Sequence, residues 1–128
     1  MYFSDSGILH ALLDIHTQSE LETNPRVGAS WEGLCLQNIA LHLRVPWSRC
    51  FFWATHQHAE LDLLVVHGKE RRGFEMKLTA APSVTPSMRI ALADLRLDSL
   101  DVVHSGNDTY PLAPRIRAVA ARRLTKDL

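Results

Sequence analysis

Much of what would commit a chain to a function class is missing here. Fourteen basic and fourteen acidic side chains cancel over 128 residues, so no global field draws the whole molecule onto nucleic acid or an anionic membrane. Cysteine is scarce: Cys35 and Cys50 lack the close spacing of a metal-binding pair. Two are also too few for a disulfide scaffold, so both read as reduced thiols and the expected location is cytoplasmic. No apolar run approaches the roughly 20 residues that span a bilayer, and no basic-then-apolar opening marks a signal peptide, so no membrane is expected. A GxxxxGK[ST] phosphate loop is absent, so no ATPase activity is expected from this chain. No G-x-S-x-G turn is present, and with it goes a serine-hydrolase arrangement. There is no internal repeat or low-complexity segment.

What is present is ordinary globular material, 46% apolar and 22% charged, enough for one core. Ser4, Asp5 and Ser6 can cap a short helix carrying Ile8, Leu9, Leu12 and Leu13. Residues 17–26 are polar and read as a loop. A helix is expected over 29–44, with Ser30 as a cap and Pro46 as its stop. Its apolar face comprises Trp31, Leu34, Cys35, Ile39 and Leu43, with Leu36 and Ala40 beside them. The period then shortens, predicting strands over 50–54, 61–66 and 73–78, with Gly68 in a tight turn between the last two. Thr85 and Pro86 open a helix with Met88, Ala91, Leu92 and Leu95 on its apolar side. A fourth strand is expected over 100–104, while 116–124 fits a helix or a short strand followed by one. The fold class is therefore α/β, a central mixed β-sheet of four or five strands flanked by helices.

The chemistry concentrates in the hairpin. A two-residue turn at Gly68 and Lys69 pairs His67 with Glu70. In that register Asp62 faces Glu75 and Glu60 faces Lys77, with Leu61, Leu63 and Val65 on the opposite face. Opposed carboxylates roughly 4.5–5.5 Å apart at Cβ repel. They require a cation or a raised pKa, and hard oxygen donors suit Mg2+ or Mn2+. Lys77 shares the face of Glu75 and is placed to act on a metal-bound water or a phosphate. Glu32 reaches the same place only if its helix packs on the acidic side of the sheet. An ordinary cross-strand Glu60–Lys77 ion pair, with Asp62 and Glu75 turned to solvent, explains the same residues.

Asp62, Glu75-Met76-Lys77 and a preceding helix acid, Glu32, together resemble the PD-(D/E)xK nuclease core, the restriction-endonuclease-like fold. YFSDSGIL at 2–9, GASWEGL at 28–34, FFWATHQHAELDLLV at 51–65 and GFEMKLT at 73–79 resemble a C-terminal domain of unknown function, number 4143, which follows AAA-type ATPase and winged-helix regions. The resemblance implies Asp62 and Glu75 as metal ligands, with the Met76 carbonyl as a third oxygen, Lys77 as catalytic lysine and Glu32 as a water-holding acid. It further implies Mg2+ or Mn2+ as cofactor, DNA phosphodiester hydrolysis, and partners comprising DNA, the absent upstream ATPase region and a second copy of the chain. On that reading residues 1–24 are a residual linker and 25–128 a single domain. The alternative it leaves is an inactive accessory or binding module of the ATPase.

Other residues carry weaker signals. His56 and His58 can join a metal site but more often sit exposed at a strand mouth. Trp31, Trp47 and Trp53 can stack bases, though packing is the expected role for all three. Arg115, Arg117, Arg122, Arg123 and Lys126 form an acid-free run, either a solvated face or a phosphate-contacting strip. Arg89 and Arg96, seven apart on one helix, share a face and fit either role.

Overall fold

A computed structural model of the chain describes residues 25–54 and 59–128, with side chains from Ser30 onward. The long helix α1 runs Pro25–Leu43, so it begins before Ser30, which lies inside it rather than capping it. Pro25 suits the first turn because its missing N–H has no helical partner there. A 3-10 turn at Trp47–Arg49 leads into β1, Cys50–Ala54. β2, Glu60–His67, and β3, Glu70–Lys77, form the expected hairpin, with His67 paired to Glu70. Gly68 supplies φ of 63° at the first turn position, a conformation favoured by glycine. Helix α2, Pro86–Asp94, is capped by the Thr85 hydroxyl, which accepts the Met88 N–H. It ends before Arg96, so Arg89 and Arg96 do not share a helix.

The chain closes with β4 (Ser99–His104), β5 (Tyr110–Ala113) and β6 (Ile116–Ala120), then a 3-10 turn and the short α3 (Leu124–Asp127). The sheet has six strands in the order β1-β2-β3-β4-β6-β5, where the pattern predicts four or five. β5 escapes the pattern because Tyr110-Pro111-Leu112-Ala113 is short and holds a proline, which an edge strand tolerates. β3, β4 and β6 are parallel neighbours, while β1–β2–β3 and β5–β6 are antiparallel. The β3–α2–β4 crossover makes the first parallel pairing.

Two apolar clusters sandwich this sheet. On one face α1 lays Trp31, Leu34, Cys35 and Ile39 against Leu63, Val65, Phe74, Met76, Val103 and Val119. On the other, α2 lays Met88 and Ala91 against Leu61, Leu64, Leu97, Leu100, Val102 and Ile116. Both faces of β4 are covered, which is why Leu100 through His104 are buried without alternation. His104 is locked at the strand end: its Nδ1 accepts the Gly106 N–H at 3.0 Å and its Nε2 lies 2.8 Å from the Asp108 carbonyl. Burial lowers its pKa, opposed by the hydrogen bond to Asp108. A Cβ at Gly106 would stand 2.6 Å from the Ala80 carbonyl oxygen and 2.9 Å from His104 Nδ1. Gly106→Ala is expected to destabilise the fold by about 1–3 kcal/mol, since backbone on one side and a fixed ring on the other must give way. Urea unfolding measures it, and an unchanged midpoint would contradict this packing.

Candidate functional site

The site is built where the hairpin loses its regularity. The β1–β2 ladder pairs Phe51 with Leu64 and Trp53 with Leu61, with a register shift between. Asp62 and Leu63 therefore stand against Phe52 alone, a β-bulge in β2. Strict alternation is broken by it: Leu61 packs in the α2 cluster while Leu63 and Val65 pack in the α1 cluster. The expectation that those three share a face fails for Leu61, because the extra residue turns the strand over.

Registered pairing between β2 and β3 runs from His67–Glu70 to Leu63–Phe74. Just beyond it, Asp62 Oδ2 accepts the Met76 backbone N–H at 2.8 Å. The carboxylate thus satisfies a main-chain donor and is pinned beside the next strand. Glu75, the neighbour of Met76, is buried. Its pKa is pushed up to about 8, first by burial, then by the charge of Asp62 and a hydrogen bond with it, against the opposing charge of Lys77. Lys77 Nζ lies 4.0 Å from Glu75 Oε1, with 43% of its side chain exposed. An ion pair this open contributes little, which is why it does not hold Glu75 ionised.

Glu32 lies on α1, which packs on the face of Phe74 and Met76 rather than on that of Glu75. It is exposed, yet partial desolvation raises its pKa, with Asp62 and Glu60 adding and Lys77 opposing. Helix and hairpin thus bring Glu32 into the field of Asp62 and Lys77. Asp62, Glu75 and Lys77 gather at one end of the sheet, and Glu32 feels the charge of Asp62 and Lys77 from the opposite face, so the expected condition of a helix on the acidic side is not met. The tightest association is between Asp62 and Glu75. Among the described residues no three His, Cys, Asp or Glu side chains form a metal-enclosing group, so the donor set is this carboxylate pair. Two clustered hard oxygen donors fit a divalent ion, whose charge can offset their mutual repulsion.

His56 and His58 lie outside the described residues. Trp31 is fully buried and Trp53 packs against the α2 cluster, as expected, but Trp47 is 57% exposed. With Phe51 and Phe52 it lines a groove of about 200 Å³ that reaches Asp62. Sequence reasoning missed this aromatic shelf because an aromatic-rich strand signals core, and only the position of β1 at the sheet edge exposes it. The basic run at the C-terminal end does not form one strip: Arg117 pairs with Asp101 on β4, and Arg123 with Asp127 on α3.

The architecture is that of a mixed α/β domain with an acidic pair and a lysine at one sheet end. Residues 27–124 match the family described as Domain of unknown function (DUF4143), and the chain belongs to that family. It is 44% identical over 124 residues to uncharacterized protein Rv2008c of Mycobacterium tuberculosis and, equally, to uncharacterized protein Mb2031c of Mycobacterium bovis. The match covers 97% of this chain but 28% of each relative's length. No solved structure matches it. No described helix is long and apolar enough to cross a membrane.

The proton on Glu75 has a measurable consequence. The group titrates near 4.5 unfolded and at about 8 folded, so between those values the folded chain binds more protons. Its contribution to stability is full below the lower value and is lost as pH rises through the upper one. In EDTA, Glu75→Gln is expected to gain thermal stability over the parent as pH rises from 5 to 8. A variant-minus-parent difference in Tm that stays flat with pH would contradict it. Taking the difference cancels the opposite slope from His104.

Proposed function

We propose that this chain is a PD-(D/E)xK-like nuclease domain, the C-terminal part of an AAA-type ATPase, hydrolysing DNA phosphodiesters with Mg2+ or Mn2+. The observation that carries this reading is the Asp62–Glu75 carboxyl pair, with the Lys77 ammonium 4.0 Å from Glu75. Asp62 and Glu75, with the Met76 carbonyl, are the residues to hold the ion. When bound, the ion supplies positive charge to the scissile phosphate and acidifies a water. Lys77 adds charge where the phosphate becomes more negative, and Glu32 orients the attacking water through a hydrogen bond. The helix acid, the strand aspartate and the Glu-x-Lys strand occur in the order of the nuclease pattern. The aromatic groove beside Asp62 offers faces on which bases can stack. That the chain spans 28% of its relatives' length leaves room in those proteins for the ATPase region.

A second reading is a catalytically silent accessory module of the ATPase. It is favoured by the neutral charge and by the pairing of Arg117 and Arg123 within the chain, which leaves less basic surface for a polyanion.

Calorimetric titration separates the two. Mn2+ is expected to bind the parent saturably, with affinity falling at least about tenfold in Asp62→Ala and in Glu75→Ala, a loss of about 1.4 kcal/mol or more. Lys77→Met should keep the metal and lower cleavage of branched, single-stranded or duplex DNA by about 100-fold. A parent that gives no binding heat and leaves all three substrates intact would establish the accessory reading instead.

A further inference from the structure

Toward the other end of β3 from Glu75 and Lys77, the sheet carries a charged cluster that the nuclease reading does not use. Asp101 lies in the middle of β4, 3% exposed, between Leu100 and Val102. Those two neighbours pack in the α2 cluster, so alternation turns Asp101 to the opposite face. Both adjoining strands neutralise it. Arg117 on β6 donates from Nε at 3.3 Å and from Nη2 at 3.1 Å, and Arg72 on β3 donates from Nη2 at 3.3 Å. The Arg72 guanidinium also lies over the Phe74 ring, 5.3 Å from its centroid. Both guanidinium planes are thereby fixed before any ligand arrives.

Arg72, Asp101 and Arg117 line an open cleft of about 510 Å³. One carboxylate shared by two guanidiniums leaves donors over: among the described residues, neither Nη1 of Arg72 nor Nη1 of Arg117 is bonded to protein. Arg115 lines the same cleft, and Glu70 stands at 3.8 Å from Arg72 Nε. Three arginines against two carboxylates leave one net positive charge. Tyr110 and Pro111 supply aromatic and apolar wall. As a stabilising device such a triad is poor, because apolar residues of similar volume serve a core as well or better. As a holder of oriented forks it is effective, since fixed guanidinium donors match the oxygens of phosphate and carboxylate.

We propose that the Arg72–Asp101–Arg117 cleft is a binding site for a small oxyanionic ligand, a phosphate or carboxylate head on a flat apolar body. Arg72 and Arg117 take the head, Asp101 holds both forks in place, and Tyr110 with Pro111 packs against the body. The site is separate from the Asp62–Glu75 pair and does not depend on the nuclease reading.

The test is a 15N NMR titration of the whole chain with phenyl phosphate and with benzoate, which separates the two heads. Inorganic phosphate serves as the head alone. Saturable shifts are expected at Arg72, Ser99, Asp101 and Arg117, with an aromatic ligand binding more tightly than inorganic phosphate. Arg117→Gln and Arg115→Gln should each weaken that ligand about tenfold or more, while Asp62→Ala and Arg89→Gln leave it unchanged. Absence of saturable shifts, shifts centred elsewhere, or affinity unchanged from the parent in both cleft variants would overturn the proposal. So would a single-stranded oligonucleotide that displaces the ligand at matched phosphate concentration, because the cleft would then be a nucleic-acid contact. Should Arg117→Gln not fold, the parent's shift map and the exposed Arg115→Gln variant decide.

Discussion

Two carboxyl groups close together at the edge of an apolar core cannot both keep their charge without help. Around Asp62 and Glu75 the chain arranges that help unequally. Asp62 receives a main-chain N–H from Met76, whereas Glu75 is buried beside it and titrates only at about 8. One is given a donor and the other a proton. Burial and a like charge thus act in the same direction on Glu75, while a main-chain donor offsets the charge of Asp62. The bulge, the end of registered pairing and the edge strand all bear on keeping this pair at the sheet's end.

The bulge opposite Phe52 is the backbone device behind the arrangement. Without the extra residue, β2 would continue its alternation and Leu61 would join Leu63 under α1. With it, Leu61 drops into the α2 cluster, and the segment that bears Asp62 leaves the regular ladder. The residue is freed for a side-chain contact to β3. Bulges recur next to functional residues for this reason: they re-aim a side chain while leaving the rest of the strand buried. The aromatic groove of Trp47, Phe51 and Phe52 arises from the same edge.

The sheet uses its charged residues differently at its two ends. Near Glu75, like charges crowd and one is suppressed. Around Asp101, opposite charges pair across three adjacent parallel strands, β3, β4 and β6. In a parallel sheet covered on both faces, a charged residue in a central strand is expensive unless partners stand on the adjoining strands. Asp101 meets that condition because Arg117 is its registered neighbour, with Arg72 two residues from its registered partner on the other side.

Local periodicity was enough to determine α1, the hairpin and its Gly68 turn, the capped start of α2 and the strand carrying Val102 and Val103. Each rests on interactions between near neighbours, which a short window of sequence contains. The association of an aspartate with Glu-x-Lys was legible too, since a two-residue turn fixes the register of the strands that follow it. Tertiary structure alone decided the bulge that reverses Leu61, the place of β5 at the edge, the exposure of Trp47 and the capture of Asp101 by two arginines. Those depend on which strands lie side by side and which face a helix covers. Such contacts join residues far apart in the chain, and no local pattern encodes the partner.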